Sequence, residues 1–125
     1  RSTQAKTLFP YTTLFRSGDD TITNTGTFNA DRASDFGAGQ DRFVNSGTLR
    51  IGAGATAPGA VALLGLERFE NVGGLVDLRN GQVGDVLTLP GDYVASGDAR
   101  LGLDVSKTAS DTLVVSGAAT GHWPV

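Results

Sequence analysis

Cysteine and methionine are absent from the 125 residues, and histidine occurs once, at His122. The absence of cysteine excludes a disulfide framework, a thiol nucleophile and a thiolate metal site. A single histidine excludes a zinc site built on a histidine pair. No apolar run approaches the roughly 18 residues that a membrane-spanning helix needs. Because the sequence also lacks an initiator methionine, we expect a piece of a longer product that holds one domain or a fragment of one.

Residues 1–17 are predicted to be a non-native segment. The stretch 7–17 reads TLFPYTTLFRS, and at every residue it resembles one translated frame of a widely used DNA-sequencing adapter. The alternative is a genuine β-strand, since Phe9, Tyr11 and Phe15 favour strands. Segments of this kind are excluded from reasoning about the fold.

Basic residues are few outside that segment. Arg1, Lys6 and Arg16 lie within it, which leaves seven basic residues against 13 acidic ones and a formal charge of −6 for 18–125. This balance disfavours nucleic acid as a partner, because phosphate backbones are bound by clustered lysine and arginine. It equally disfavours an anionic membrane surface.

A repeated pattern runs through residues 18–85. It reads acid, any residue, Ile or Phe, any residue, Asn, any residue, Gly, Thr or Gly, and then an apolar residue. Its copies start 21 and then 26 residues apart, which is typical of the coils of a solenoid. The three copies are 20–28 (DTITNTGTF), 41–49 (DRFVNSGTL) and 67–75 (ERFENVGGL), with Asn24, Asn45 and Asn71 and with Gly26, Gly47 and Gly73.

The chemistry of the pattern predicts a parallel β-helix. Asn and Gly tolerate left-handed backbone, so each Asn-x-Gly can turn the chain between two short strands. Stacked asparagines can then hydrogen-bond from coil to coil. Antiparallel hairpins that turn at Asn-x-Gly are the alternative. The expected inner columns are Ile22 with Phe43 and Phe69, and Phe28 with Leu49 and Leu75.

Residues 86–125 are predicted to form a modified β end of the solenoid, because the repeat stops at Val86. Alternation of Leu101, Leu103 and Val105 with polar residues predicts a strand with one buried face. An end region of this kind protects the backbone groups that an open coil exposes.

The stretch from 20 to about 120 resembles the passenger region of bacterial autotransporters of the pertactin-like kind. The residues that carry the resemblance are NTGTF, NSGTLRIG, FENVGGLVDLRNGQVGDVLTLPGDYVASGDARLGLDV and SDTLVVSGAATG. The last two stretches look like the junction that precedes the membrane barrel in that family.

The resemblance implies a right-handed parallel β-helix that its own C-terminal outer-membrane barrel, absent from this chain, exports to the bacterial cell surface. It also implies that 84–121 acts as an intramolecular folding nucleus. We therefore expect a structural stalk and folding segment, with no enzymatic activity and no cofactor. The chain departs from the family pattern in lacking a signal peptide and the barrel and in stopping abruptly after His122-Trp123-Pro124-Val125.

Two other functions stay open on the sequence. The first is an adhesin-type module that binds a surface ligand, with Asp20 and Asp41 as weak candidates for a calcium site. The second is a polysaccharide-cleaving enzyme, which would need two carboxylates on one exposed face. For the second function the sequence offers Asp77 and Asp104 in expected strands, and Asp85, Asp92, Asp98 and Asp111 at expected turns. A role for aspartate in forming turns accounts for the same residues.

Overall fold

The computed structural model describes residues 4–8, 19–30 and 33–121. Over these residues the protein is all-β, and its strands stack in parallel as a solenoid of about three turns. The described residues form no helix, and none of them therefore makes a helix able to cross a membrane. The predicted fold class, an all-β parallel solenoid, is confirmed.

Thirteen strands are present in the described part of the chain. In order they are β1 Gln4–Leu8, β2 Thr21–Ala30, β3 Ser34–Asp35, β4 Arg42–Asn45, β5 Thr48–Ile51, β6 Ala60–Leu64, β7 Arg68–Val72, β8 Leu75–Asp77, β9 Val86–Leu89, β10 Asp92–Ser96, β11 Arg100–Gly102, β12 Thr112–Val115 and β13 Ala119–Gly121.

The strands form three stacks along the solenoid. Stack A runs β2, β4, β7, β10 and β13, stack B runs from the second half of β2 through β5, β8 and β11, and stack C runs β3, β6, β9 and β12. All pairs between these strands are parallel, and the one antiparallel contact among the described residues is a bridge between Val105 and Ser110. The hairpin alternative is therefore wrong.

An aromatic column fills the core behind stack A. Ile22 is in register with Phe43, Phe43 with Phe69, and Phe69 with Tyr93. The rings of Phe43 and Phe69 stack with centroids 5.0 Å apart, and those of Phe69 and Tyr93 stack at 5.8 Å. Phe28 meets Phe43 edge to face at 5.1 Å. The first predicted column is confirmed, with Tyr93 as a fourth member.

The second predicted column is wrong in its last residue. Phe28 is in register with Leu49, but Leu49 pairs with Val76, while Leu75 pairs with Thr48 on the outward-facing side. The third repeat therefore has one residue more than the first two between its asparagine and the first residue paired in stack B. Gly73 takes up the extra residue with a φ of 68°, which glycine adopts freely.

The prediction that Gly26 and Gly47 adopt left-handed backbone is wrong. Among the six pattern residues only Gly73 has a positive φ, and the chain passes Asn24 and Gly26 as uninterrupted strand. A side chain is instead excluded by the neighbouring coil. A Cβ added to Gly47 would overlap the carbonyl oxygen of Gly26, one coil earlier.

The parallel stacking continues across the sequence boundary at residues 85 and 86. β9 lies on β6, β10 on β7, and β11 on β8, so the coils beyond Val86 keep the same backbone path. The predicted strand around Leu103 is shorter than expected, because β11 ends at Gly102. Val105 is 70% exposed and belongs to the short antiparallel loop bridged to Ser110, so it has no place on a buried face.

Part of the predicted non-native segment pairs with the first coil. β1 runs parallel to β2, with Gln4 opposite Thr23 and Leu8 opposite Phe28. Parallel pairing uses backbone groups, which any extended segment offers to an open edge, so this contact is independent of where the segment comes from. Residues 9–18, with most of the adapter-like stretch, lie outside the described residues.

Gly47→Ala is expected to lower the free energy of unfolding by about 1–3 kcal/mol, because the new methyl group meets fixed backbone of the adjacent coil. Gly59→Ala is the matched control, since a Cβ there meets nothing within 4 Å and its φ is not positive. Urea unfolding of both variants measures the difference. Equal midpoints for the two variants would contradict the close approach of the coils.

Candidate functional site

A ladder of buried asparagines follows the corner between stacks A and B. Asn24 Nδ2 donates to Asn45 Oδ1 at 2.9 Å, and Asn45 Nδ2 donates to Asn71 Oδ1 at 3.1 Å. All three side chains are fully buried. The structure thus brings together the three predicted asparagines in neighbouring coils, as the repeat requires.

Each asparagine also holds the corner of the next coil. Asn24 Nδ2 donates to the carbonyl of Thr48 at 3.0 Å, and Asn45 Nδ2 donates to that of Leu75 at 3.2 Å. These carbonyls belong to the first residues of β5 and β8. The amide therefore links the end of a stack A strand in one coil to the start of a stack B strand in the following coil.

The asparagine ladder ends at Tyr93, which the sequence marks as a packing residue but not as a member of the ladder. Ala95 occupies the position in register with Asn71, and the Tyr93 hydroxyl lies 3.2 Å from Asn71 Nδ2. Burial raises the pKa of Tyr93, so the phenol stays neutral. The sequence did contain a signal for this end of the ladder. Tyr93 takes the place of a phenylalanine in the repeated pattern, and Ala95, two residues later, takes the place of the asparagine.

A first carboxylate ladder precedes stack A. The N–H of Asp20 donates to Asp41 Oδ1 at 2.9 Å, and the N–H of Asp41 donates to Glu67 Oε1 at 2.7 Å. Asp20 and Asp41 are 4% and 1% exposed. Burial raises the pKa of Asp41, although the bond from the Asp20 N–H opposes the shift. Asp41 and Glu67 thus each accept a hydrogen bond from a backbone N–H of the preceding coil.

The two weak calcium candidates are members of this ladder. The structure brings Asp20 and Asp41 onto adjacent coils, as the repeat predicts, and each keeps one buried oxygen without a partner among the described residues. The described residues contain no group of three or more acidic, histidine or cysteine side chains arranged to hold a metal ion. Calcium takes six to eight oxygen ligands, so this pair supplies too few of them.

A second carboxylate ladder precedes stack C and was missed, because its members were interpreted as turn formers. The N–H of Gly59 donates to Asp85 Oδ1 at 2.7 Å, and the N–H of Asp85 donates to Asp111 Oδ1 at 2.9 Å. Asp111 Oδ2 accepts from the N–H of Asp104 at 2.7 Å. The available signal was the 26-residue spacing of Asp85 and Asp111, each directly before an apolar strand.

Asp77, Asp104 and Asp92, three of the acids considered for polysaccharide cleavage, hold structural contacts. Asp77 Oδ1 lies 2.8 Å from Arg79 Nε. Burial by itself would raise the pKa of Asp77, but the hydrogen bonds and charge of Arg79 outweigh burial, so the pKa is lowered. Asp104 lies outside the strand expected for it and accepts from the N–H groups of Asn80 and Gly81 at 2.8 and 2.9 Å. Asp92 lies in β10 and accepts from the Ala118 N–H at 2.9 Å.

An ion cluster covers the outer surface of stack A. Arg42 and Arg68 are in register on adjacent coils, and Glu70 lies 2.6 Å from the Nε of each. Hydrogen bonds from Arg42 first, and also from Arg68, lower the pKa of Glu70 to about 2. The carboxylate offsets the repulsion between two stacked arginines.

His122 and Trp123, which the sequence analysis singled out, lie outside the described residues. In comparisons with known proteins, no family model matches the chain, and no curated protein or solved structure is significantly similar to it.

Asn45→Ala is expected to lower the free energy of unfolding by about 3 kcal/mol, because it leaves the Asn71 amide oxygen and the Leu75 carbonyl buried without their donor. Asn29→Ala, in β2 but only half-buried, is the matched control and should stay within about 0.5 kcal/mol of the wild type. Chemical unfolding compares them. A loss no greater at Asn45 than at Asn29 would contradict a structural ladder.

Glu70→Gln is expected to destabilise the protein at pH 7 by about 1 kcal/mol, since both arginines are half exposed and solvent screens the cluster. The folded-state pKa of Glu70 is lowered from 4.5 to about 2. Its contribution is therefore complete above pH 4.5 and is lost as the pH falls towards 2. Unfolding curves from pH 7 to 2 should bring variant and wild type together at the acid end. A difference in unfolding free energy that stays constant from pH 7 to 2 would contradict the ion cluster. Asp98→Asn, at an exposed turn, is the control for the change in net charge.

Proposed function

We propose that this chain is a stalk and folding segment of a secreted bacterial autotransporter passenger. In this proposal it is displayed at the cell surface and attached through a C-terminal outer-membrane barrel that is its partner in export. The resemblance of residues 20–120 to such passengers supplies the biological setting. The observation that carries the proposal is the in-register parallel stacking of each coil on the next.

Stacked coils suit a stalk because length and stiffness come from one repeated contact. Each coil adds about 4.8 Å along the axis and contacts mainly its neighbours. The buried columns and polar ladders resist sliding of one coil on another. The interior thus maintains the rod, while the outward-facing residues are free to differ.

The ladders also suit assembly from one end. In the asparagine ladder and in both carboxylate ladders, the donor lies in the earlier coil and the acceptor in the later coil. A later coil that is already folded therefore presents oriented acceptors to the coil that docks on it. During export, such stepwise docking would favour outward movement of the chain.

Residues 84–121 are the proposed folding nucleus. Leu101, Leu103, Leu113 and Val115 pack partly buried against the core, and β13 covers the stack A edge of this last coil. The coil could therefore form first and offer an apolar surface to the next one. The absence of cysteine suits this route, since no disulfide can lock the chain before translocation.

Adhesin-type binding and polysaccharide cleavage remain predictions from the sequence. Asp41, Asp111 and Asp77, three of the carboxylates that these functions would use, hold backbone or arginine partners. The stalk is the function that the described contacts support best.

Surface display tests the proposal directly. The full chain, joined to an outer-membrane barrel and carrying an N-terminal epitope, is produced in a Gram-negative host. We expect the epitope on intact cells and a protease-resistant fragment that includes the coils. Failure of the epitope to reach the surface, or complete digestion of the displayed chain, would overturn the stalk proposal.

The double variant Leu101→Asp, Leu103→Asp tests the nucleus. Charges against the core of the last coil should reduce the protease-resistant surface fraction severalfold and slow the refolding of the isolated chain. The double variant Val72→Asp, Val105→Asp is the matched control, because these valines are 43% and 70% exposed. Refolding and display equal to the control would remove the nucleus role.

A further inference from the structure

A small cavity of about 250 Å³ opens between the loop 52–57 of one coil and the start of the stack C strands. Its wall is made by glycine and alanine residues of the loop together with Ile51 and Val61. Among the described residues that line it, Asp85 is the only one with a polar side chain, and it is 2% exposed. The cavity is thus lined by small and aliphatic side chains and by backbone, with one acidic side chain in its wall.

A comparison within the chain shows that one carboxylate oxygen of Asp85, Oδ2, lacks a hydrogen-bond donor among the described residues. Asp85 and Asp111 occupy equivalent positions on adjacent coils, each directly before a stack C strand, and the Oδ1 of each accepts from the N–H of the preceding coil. Asp111 Oδ2 also accepts from the Asp104 N–H at 2.7 Å. Asp85 Oδ2 is buried and has no hydrogen-bond partner among the described residues.

We propose that the cavity binds a small aliphatic ammonium ion, with its N–H donating to Asp85 Oδ2. The ammonium supplies the donor that the Asp104 N–H supplies to Asp111, and its positive charge compensates a carboxylate held out of water. Its short carbon chain packs against the alanine, isoleucine and valine of the wall. The cavity is smaller than the roughly 300–1,000 Å³ of pockets for drug-sized ligands, so the occupant has few carbon atoms.

The composition of the wall selects this ligand class over others. A hard divalent cation needs six or more oxygen ligands, and the lining offers one carboxylate. An anion would be repelled by Asp85. Asp85 Oδ2 is inaccessible to solvent in this structure, so contact with it requires a small local displacement of the wall.

The inference is tested on the full chain by titration with n-propylammonium chloride, followed by amide chemical shifts. We expect saturable shifts centred on Gly59, whose N–H donates to Asp85, and on residues 52–57. Asp85→Asn should weaken binding about tenfold or more, since a charge-assisted hydrogen bond is lost. Asp98→Asn, which removes the same charge from an exposed turn, should bind as the wild type does.

Neutral 1-propanol, which has the same chain length, should bind wild-type protein at least tenfold more weakly than the ammonium does. If Asp85→Asn fails to fold, Ala57→Leu decides, because it fills the cavity from an exposed position and should abolish the shifts. The proposal is overturned by the absence of saturable shifts in the wild type, by unchanged affinity in Asp85→Asn or Ala57→Leu, or by equal binding of 1-propanol. None of these readouts depends on display at a cell surface, so the stalk proposal stands or falls separately.

Discussion

The buried amide of an asparagine sets the register on which the rest of this solenoid depends. Parallel backbone pairing alone would tolerate a slip of two residues, since the same side chains would still point inward. An asparagine that slipped would leave its amide and its neighbours' carbonyls buried without partners, at about 1–3 kcal/mol for each group. Asn45 meets the amides of two coils and the carbonyl of a corner, so it fixes the strands on both sides of that corner at once.

The carboxylate ladders also set the register between coils, because each bond joins a carboxylate to a backbone N–H of the adjacent coil. The surroundings of Asp111 and Asp85 differ. At Asp111 the returning chain supplies the missing donor, since the Asp104 N–H reaches its second oxygen. At Asp85 no described N–H reaches the second oxygen, and the residue lies in the wall of a cavity lined largely by glycine and alanine. The asparagine ladder ends where alanine replaces asparagine and a tyrosine hydroxyl reaches in from the aromatic column. The asparagine ladder thus ends through a local change of residue type inside an unchanged backbone path.

A shape made of one repeated contact gives mechanical continuity, but it does not by itself specify a partner or a reaction. The described acids are largely engaged in holding backbone N–H groups or arginines, and this engagement favours a scaffold over a catalytic surface. The outer face of stack A, with Glu70 between two arginines, shows how exposed side chains can adjust charge without touching the core. The proposed stalk role therefore depends on the interior, and any ligand specificity depends on cavities and outer faces.

The sequence by itself determined the parallel stacking, because Asn24, Asn45 and Asn71 recur at coil-length spacing within one apolar pattern. It also determined the aromatic column from Ile22 to Phe69. It misplaced Leu75, because Gly73 and Gly74 fit the pattern equally well and only the backbone path shows which one is extra. Only the tertiary structure brought Asp85 beside Gly59 and Asp111, and Tyr93 beneath Asn71. The spacing of the repeats and the alternation of polar and apolar residues can be read from the sequence alone. The partner of a buried polar atom cannot, because it depends on which residue the adjacent coil places opposite it.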